Sequence, residues 1–100
     1  MNRIAIFFGT GYEEIEALSV VDVCRRMKLS IDMISITEDL EVEGAHGIKV
    51  QMDKIFSQTD FSEYDMLVLP GGGMGTKNLE AKTELMEQRV SKIKITFWRL

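Results

Sequence analysis

The chain has 100 residues, of which 45% are hydrophobic and 28% are charged, and its formal net charge at pH 7 is −4. This length fits one small domain or a piece of a larger one, and the hydrophobic share is sufficient for a packed core. The acidic balance, without a basic patch, argues against a nucleic-acid or anionic-membrane surface. No apolar run approaches the ~20 residues that span a bilayer.

Cysteine usage and the amino terminus bear on the cellular compartment. Cys24 is the single cysteine, so no internal disulfide can form and a reducing cytosol is the natural setting. The chain runs from Met1 directly into an apolar segment that lacks a small-residue cleavage site, which predicts no signal peptide. We therefore expect a cytoplasmic protein.

The amino-terminal part predicts a strand, a helix and a second strand. Residues 3–8 form a short apolar run typical of a strand buried on both faces. Residues 13–28 predict a helix, with acids at its start and basic residues at its end, where each suits the helix dipole. The apolar positions of this helix cover more than one stripe, which predicts two neighbours: the sheet, and either a second helix or a partner subunit. Residues 31–36 predict the second strand.

The rest of the chain continues this alternation of strands and helices. The predicted segments are a hairpin or two short strands at 41–51, a short helical turn and loop at 54–63, a third buried strand at 64–69, a second main helix at 76–90 and a strand-like tail at 92–98. Such alternation implies a parallel sheet flanked by helices. Sites in such sheets form at the carboxyl ends of strands, where this chain carries glycine-rich turns at 9–11 and 71–73.

Three glutamates lie at the start of the predicted first helix. The ordinary interpretation of Glu13 and Glu14 is dipole complementation on a solvated face, because charged first-turn residues are usually exposed. Glu16 lies between apolar neighbours, one turn into the helix and close to the carboxyl end of the first strand. Desolvation favours the protonated form of a carboxyl. Glu16 is therefore a candidate to donate a hydrogen bond to a thiolate or a substrate oxygen.

The second motif is the turn that contains Gly71, Gly72 and Gly73. Glycines let the backbone approach a ligand closely, and two N–H groups at a helix start could hold an oxyanion. The alternative is a plain strand-to-helix turn, since glycine turns are common. The segment lacks the spacing of a phosphate loop.

The single histidine, His46, and Cys24 complete the chemistry-bearing residues. His46 lies in a glycine loop, where it is either an ordinary surface group or a residue that reaches a site, including one across a dimer. One histidine without a cluster of further soft ligands predicts no metal site, and no cofactor is expected. Cys24 lies mid-helix on an apolar stripe, a pattern typical of an inert packing residue.

Taken together, the motifs resemble a known family. The runs FFGTGYEEIEALSVVDVCRRMKL, EVEGAHGIKV and YDMLVLPGGGMGTKNL resemble the ThiJ/PfpI superfamily in order and spacing, particularly the subgroup named after the Parkinson-disease deglycase. The resemblance covers about residues 3–88. It implies an α/β fold, a flavodoxin-like three-layer sandwich with a parallel sheet, related to class I glutamine amidotransferases and usually homodimeric.

The resemblance also implies an activity and a site. Members are described as glyoxalases, deglycases, peptidases or redox chaperones, and often as thiazole-monophosphate biosynthesis proteins. The implied substrate is a small reactive carbonyl compound, which is attacked by a cysteine on a strained elbow. Carried over to this chain, Glu16 is the acid that supports the cysteine, and Gly71 and Gly72, with Gly73 beside them, supply the backbone N–H groups.

The chain departs from the family in one respect. The similarity fades after Gln88, before the expected elbow, and residues 89–100 form a divergent tail that is either strand-like or frameshifted. We therefore expect residues 1–88 to be the amino-terminal part of a truncated domain that is inactive alone. The missing half predicts an exposed sheet edge or helix face, and hence an oligomeric or poorly stable chain. The alternative function is a non-enzymatic redox-sensing, chaperone-like or dimerisation module.

A nucleotide-binding function of the flavodoxin type is disfavoured. Its phosphate would lie at the start of the first helix, where this chain places Glu13 and Glu14. Phosphate binding at a helix start requires the opposite charge.

Overall fold

The computed structural model describes residues 3–69. Its elements, in chain order, are β1 Arg3–Phe8, α1 Glu14–Arg26, β2 Ser30–Ser35, β3 Glu41–Glu43, β4 Lys49–Gln51, β5 Lys54–Ile55, the 3₁₀ turns Phe56–Gln58 and Phe61–Glu63, and β6 Met66–Val68. The predicted first helix, the three buried strands and the hairpin are thereby confirmed. The segment 54–63 contains a short strand in addition to the predicted helical turns. The predictions for Gly71–Gly73, 76–90 and 92–98 lie outside the described residues.

Four of the strands form a parallel sheet in the order β5-β2-β1-β6. Strand β1 lies inside this sheet, which explains its unbroken apolar sequence, because neither of its faces meets solvent. Ile6 and Phe8 belong to the apolar cluster beneath α1, and Ala5 and Phe7 belong to the cluster on the opposite face. The predicted α/β class with a parallel sheet is confirmed.

Each face of the sheet is covered by a different segment. Helix α1 buries Ala17 and Val21 against one face. On the other face the ring of Phe7 lies 6.2 Å from that of Phe56 and 5.6 Å from that of Phe61. In the described structure, the two 3₁₀ turns therefore cover this part of the second face, as helix α1 covers the first.

The second apolar stripe predicted for α1 is present and exposed in the described structure. Ile15 is 76% exposed, Met27 65% and Val23 53%. Among the described helices, none is both long enough and apolar enough to cross a membrane.

The β3–β4 hairpin forms a separate antiparallel sheet whose turn lies beside the start of α1. Two backbone hydrogen bonds attach it there: the N–H of Gly11 donates to the carbonyl of Glu43 at 2.9 Å, and that of Ala45 to the carbonyl of Tyr12 at 2.8 Å. The hairpin turn, the loop after β1 and the first turn of α1 thus meet at the carboxyl end of the central strand.

Candidate functional site

Glu14, the first residue of α1, is buried at this meeting point and is only 3% exposed. Its Oε2 accepts the backbone N–H of His46 at 2.7 Å and that of Ile48 at 3.4 Å. Its Oε1 lies 2.8 Å from Nδ1 of His46. The expectation that Glu14 lies on a solvated face is therefore wrong, because the hairpin turn folds over it and replaces its water.

The ionisation of Glu14 follows from these contacts. Burial by itself would raise the pKa of Glu14, but the hydrogen bonds from the His46 imidazole and from the backbone N–H groups of Glu14, His46 and Ile48 outweigh it and lower that pKa to about 2. Hydrogen bonds to the charged form of a carboxyl favour that form. Glu14 is therefore a buried, ionised carboxylate at neutral pH.

Gly44 provides the space that Glu14 occupies. A Cβ atom added to Gly44 would lie 2.6 Å from Cγ and 2.7 Å from Oε2 of Glu14, closer than real Cβ contacts. Gly47 differs, since its φ of +78° requires a glycine-like conformation while the space around it is open. The two hairpin glycines thus serve different purposes: Gly44 is needed for close approach and Gly47 for the turn.

His46 carries its imidazole at the surface, with a side chain that is 66% exposed. Its Nδ1 nevertheless faces inward, 2.8 Å from Glu14 and 4.0 Å from Oε1 of Glu13. The hydrogen bond with Glu14 raises the pKa of His46, and the charges of Glu14 and Glu13 raise it further. His46 is therefore a surface group whose ring contacts Glu14 at the carboxyl end of β1. Its participation in a functional site, including one across a dimer, stays a prediction.

Glu13, Glu14 and His46 each offer one ligand atom, and these atoms lie within 4.8 Å of one another. Among the described residues they are the set that could hold a cation. Sequence reasoning missed the set because His46 lies 32 positions from Glu14. The sequence did carry a signal for this set, since Gly44 and Gly47 lie on either side of His46. Glycines let the backbone of a turn approach another element closely.

Glu16, the predicted supporting acid, lies half-buried in the first turn of α1. The turn that would complete its site, Gly71–Gly73, lies outside the described residues, so this role stays a prediction. Cys24 is partly buried and packs against the apolar cluster beneath α1, as expected of a packing residue.

Tyr12 is a further polar residue at this end of the sheet. Its side chain is fully buried, with its ring 4.7 Å from that of Phe8, and its hydroxyl has no hydrogen-bond partner in the described structure. Burial raises the pKa of Tyr12, and the charge of Glu14 adds to this effect. The hydroxyl therefore remains neutral in an apolar setting.

Comparisons with known proteins bear on this arrangement. A sequence model of the DJ-1/PfpI family matches residues 2–94. The chain belongs to the DJ-1/PfpI family. It is 29% identical over 84 residues to Protein DJ-1 homolog B of Arabidopsis thaliana, a match that covers 84% of this chain and 19% of that protein. It is 26% identical over 99 residues to the glutathione-independent glyoxalase DJ-1 of Schizosaccharomyces pombe, covering 92% of this chain and 51% of that protein.

A solved structure agrees with these sequence matches. A DJ-1 superfamily protein of Salmonella typhimurium, crystallised as a cysteine-to-alanine variant, superposes with a TM-score of 0.83 at 27% identity. The match covers 97% of this chain and 55% of that chain. The flavodoxin-like fold is thus confirmed for this DJ-1/PfpI chain, which spans between 19% and 55% of the length of these relatives.

Proposed function

We propose that the protein to which this DJ-1/PfpI domain belongs acts on small reactive carbonyl compounds through a cysteine thiolate, as a glyoxalase or deglycase. The observation that carries the proposal is the cluster of glutamates at the carboxyl end of β1 in a chain of this family. Open α/β sheets bind their ligands at that end. The name of the Schizosaccharomyces pombe relative, a glutathione-independent glyoxalase, supports the same class of substrate.

In this proposal the thiolate attacks the carbonyl carbon, because the thiolate is the nucleophilic form of cysteine. Glu16 holds or relays the proton of the thiol. The backbone N–H groups of Gly71 and Gly72, with Gly73 beside them, receive the oxyanion that develops on the substrate. No cofactor takes part in this chemistry.

The 100 residues contain one cysteine, Cys24, which packs against the core rather than lying at the carboxyl end of a strand. We therefore propose that the chain is truncated relative to its active relatives and inactive by itself. A reducing, cytoplasmic setting suits a catalytic thiol of this kind.

The test compares methylglyoxal consumption by the 100-residue chain with that by a longer product of the same gene that includes an elbow cysteine. We expect turnover by the longer product, its loss in Glu16→Gln, and its retention in the matched control Cys24→Ser. The short chain should be inactive. Turnover by the short chain that Glu16→Ala abolishes would contradict the proposal, and a natural stop codon after Leu100 would favour the second candidate function.

The second candidate is a non-enzymatic dimerisation or chaperone-like module, and the exposed apolar face of α1 favours it. Ile15 and Leu18 line a groove with Ile48 of the hairpin, and Ile15 is 76% exposed. A second copy of the chain that packs its own α1 face there would bury these side chains. We expect sedimentation velocity to show a homodimer or higher association that Ile15→Ser weakens and Arg26→Ala leaves unchanged. A compact monomer with a cooperative, high melting temperature would overturn this candidate.

A further inference from the structure

We propose that Glu13, Glu14 and His46 form a binding site for a divalent metal ion of the Zn²⁺ class. The ion fastens the β3–β4 turn to the first turn of α1, and its binding does not depend on carbonyl chemistry. The expectation of no metal site came from the sequence order, in which His46 stands apart from the glutamates, whereas the fold brings one ligand atom from each residue together.

The spacing of the ligand atoms suits such an ion. Nδ1 of His46 lies 2.8 Å from Oε1 of Glu14 and 4.0 Å from Oε1 of Glu13. Ligand atoms around a tetrahedral Zn²⁺ ion are about 3.3 Å apart, given metal–ligand bonds of about 2.0–2.1 Å, so the observed distances fall on both sides of this value. Because the His46 and Glu13 side chains are 66% and 29% exposed, small rotations of these two side chains bring the atoms to bonding distance.

Glu14 is oriented in advance as a metal ligand. Its Oε2 accepts the backbone N–H groups of His46 and Ile48, which leaves Oε1 beside the imidazole. Hydrogen bonds to a ligating carboxylate fix its orientation in known metal sites. Glu14 is also buried and ionised at neutral pH, so it releases no proton when it binds a cation. The ion takes the place of the proton between Nδ1 and Oε1, and the imidazole keeps its other proton on Nε2.

The charge of the three side chains also favours a cation. Two carboxylates lie beside one imidazole, so the set carries a net negative charge whether or not His46 is protonated. Within residues 3–69, no lysine or arginine forms an ion pair with Glu13 or Glu14. The positive end of the helix dipole offsets part of this charge, and a divalent ion offsets the rest.

Tyr12 supplies a second, independent observation. Its hydroxyl is buried and has no hydrogen-bond partner in the described structure, although buried polar side chains normally have one. Burial raises the pKa of Tyr12 and the charge of Glu14 adds to this effect, so the hydroxyl lies within electrostatic range of that carboxylate. An ion held by Glu14 carries water in its remaining coordination position. Such a water is a hydrogen-bond donor for the Tyr12 hydroxyl.

The donor set selects the class of ion. One imidazole nitrogen with two carboxylate oxygens suits Zn²⁺ and its neighbours among the divalent metals. Ca²⁺ takes about six to eight oxygen ligands and Mg²⁺ prefers oxygen ligands in octahedral geometry, so the imidazole suits neither ion. Because the imidazole is 66% exposed, an ion reaches the site from solvent. Zn²⁺, and Co²⁺ as its spectroscopic substitute, are therefore the ions expected to bind.

The experiment is isothermal titration calorimetry of the 100-residue chain with Zn²⁺. We expect saturable binding of one ion per chain and a higher melting temperature in the presence of Zn²⁺, because an ion that binds the folded state stabilises it. Addition of Co²⁺ should give a visible d–d absorption spectrum that Zn²⁺ displaces. Ca²⁺ and Mg²⁺ at the same concentration should leave the melting temperature unchanged.

Variants assign the ligands. His46→Gln and Glu13→Gln each remove one ligand, and we expect each to weaken Zn²⁺ binding by about 100-fold, since loss of even an outer-shell partner costs about 10- to 100-fold. Glu13→Gln leaves the hydrogen bonds of Glu14 in place, so it reports on the site even if His46→Gln disturbs the turn. The matched control is Glu43→Gln, which removes an exposed carboxylate from the same hairpin and should leave the affinity unchanged.

Four results would overturn the proposal. The first is the absence of saturable Zn²⁺ binding to the wild-type chain. The second is wild-type affinity in either His46→Gln or Glu13→Gln. The third is an equal loss of affinity in Glu43→Gln, which would mean that the ion responds to the surface charge of the hairpin. The fourth is a loss of binding in Cys24→Ser, which would place the ion at the thiol.

Discussion

Two clusters of charged side chains lie at opposite ends of the same sheet and differ in their balance of charge. At the amino end, Oδ2 of Asp32 accepts the Tyr64 hydroxyl at 2.6 Å and lies 3.1 Å from Arg3 and 3.7 Å from Lys54. Arg3 also pairs with Glu63 at 2.8 Å, so cations and carboxylates are matched there. At the carboxyl end, two carboxylates share one imidazole.

Because of this difference, the protonation state of one cluster is fixed near neutral pH, whereas that of the other responds to pH. Burial would raise the pKa of Asp32, but the hydrogen bond from Tyr64 and the charges of Lys54 and Arg3 lower it. Burial and the hydrogen bond to Asp32 raise the pKa of Tyr64. The amino-end cluster therefore keeps one protonation state at neutral pH and ties β1, β2, β5 and the segment before β6 together. The carboxyl-end cluster contains His46, whose pKa is raised by its hydrogen bond with Glu14.

The largest expected effect on the free energy of unfolding is that of Gly44→Ala, which disrupts the carboxyl-end cluster. The new methyl group would overlap the side chain of Glu14, whose Oε2 is 2.7 Å from the Cβ position. We expect a loss of about 3 kcal/mol in the free energy of unfolding, the upper part of the range for overpacked sites. Urea denaturation measures it.

The matched control is Gly47→Ala in the same hairpin. Its Cβ would meet open space, so only the strain of a φ of +78° remains, about 1 kcal/mol. A loss for Gly44→Ala no larger than that for Gly47→Ala would show that the Glu14 side chain moves aside and that Gly44 is not needed for the space that Glu14 occupies.

The amino-end cluster is tested by Tyr64→Phe. This change removes the hydroxyl that donates to Asp32 and accepts from Lys54 at 3.2 Å, while the ring remains over the core. We expect a loss of about 1.5 kcal/mol in the free energy of unfolding, as for a hydrogen bond to a charged group, and no change in the pKa of His46. A shifted His46 titration in this variant would mean that the two clusters are coupled.

Tyr12→Phe removes a tyrosine hydroxyl at the carboxyl end of the sheet. Unlike Tyr64→Phe, it should increase the free energy of unfolding. The Tyr12 hydroxyl is buried and has no hydrogen-bond partner in the described structure. Its loss should stabilise the fold by about 1 kcal/mol, because a buried unpaired polar group is costly. Destabilisation in thermal or urea unfolding would instead show that the hydroxyl has a bound partner in solution.

The smallest effect is expected outside both clusters, for Arg26→Ala. Arg26 pairs with Asp22 at 3.0 Å on α1, but both side chains are mostly exposed. We expect a loss of about 0.4 kcal/mol, as for other exposed ion pairs one helical turn apart. A loss comparable to that of Tyr64→Phe, measured in the same urea series, would contradict the distinction between surface pairs and the sheet-end clusters.

Local patterns in the sequence were sufficient for the main elements of the fold. The apolar run at 3–8 predicts a strand without a solvent face, and β1 lies inside the sheet. The acids and basic residues at the two ends of α1 predict its extent, and the hairpin glycines predict β3 and β4. These predictions succeed because helix dipoles, apolar periodicity and turn conformations depend on neighbouring residues. The motifs around Glu13–Glu16 and Gly71–Gly73 likewise indicated the DJ-1/PfpI family.

Only the tertiary structure decided which glutamate is buried. Residues 13–16 contain three carboxylates that a helix-start rule treats alike, yet Glu14 is the one enclosed. The groups that enclose it, in Gly44, His46 and Ile48, come from a turn more than one element away in the sequence. A carboxylate can be buried only where hydrogen bonds replace its water, and the position of those donors is set by the docking of the hairpin, which no local pattern encodes.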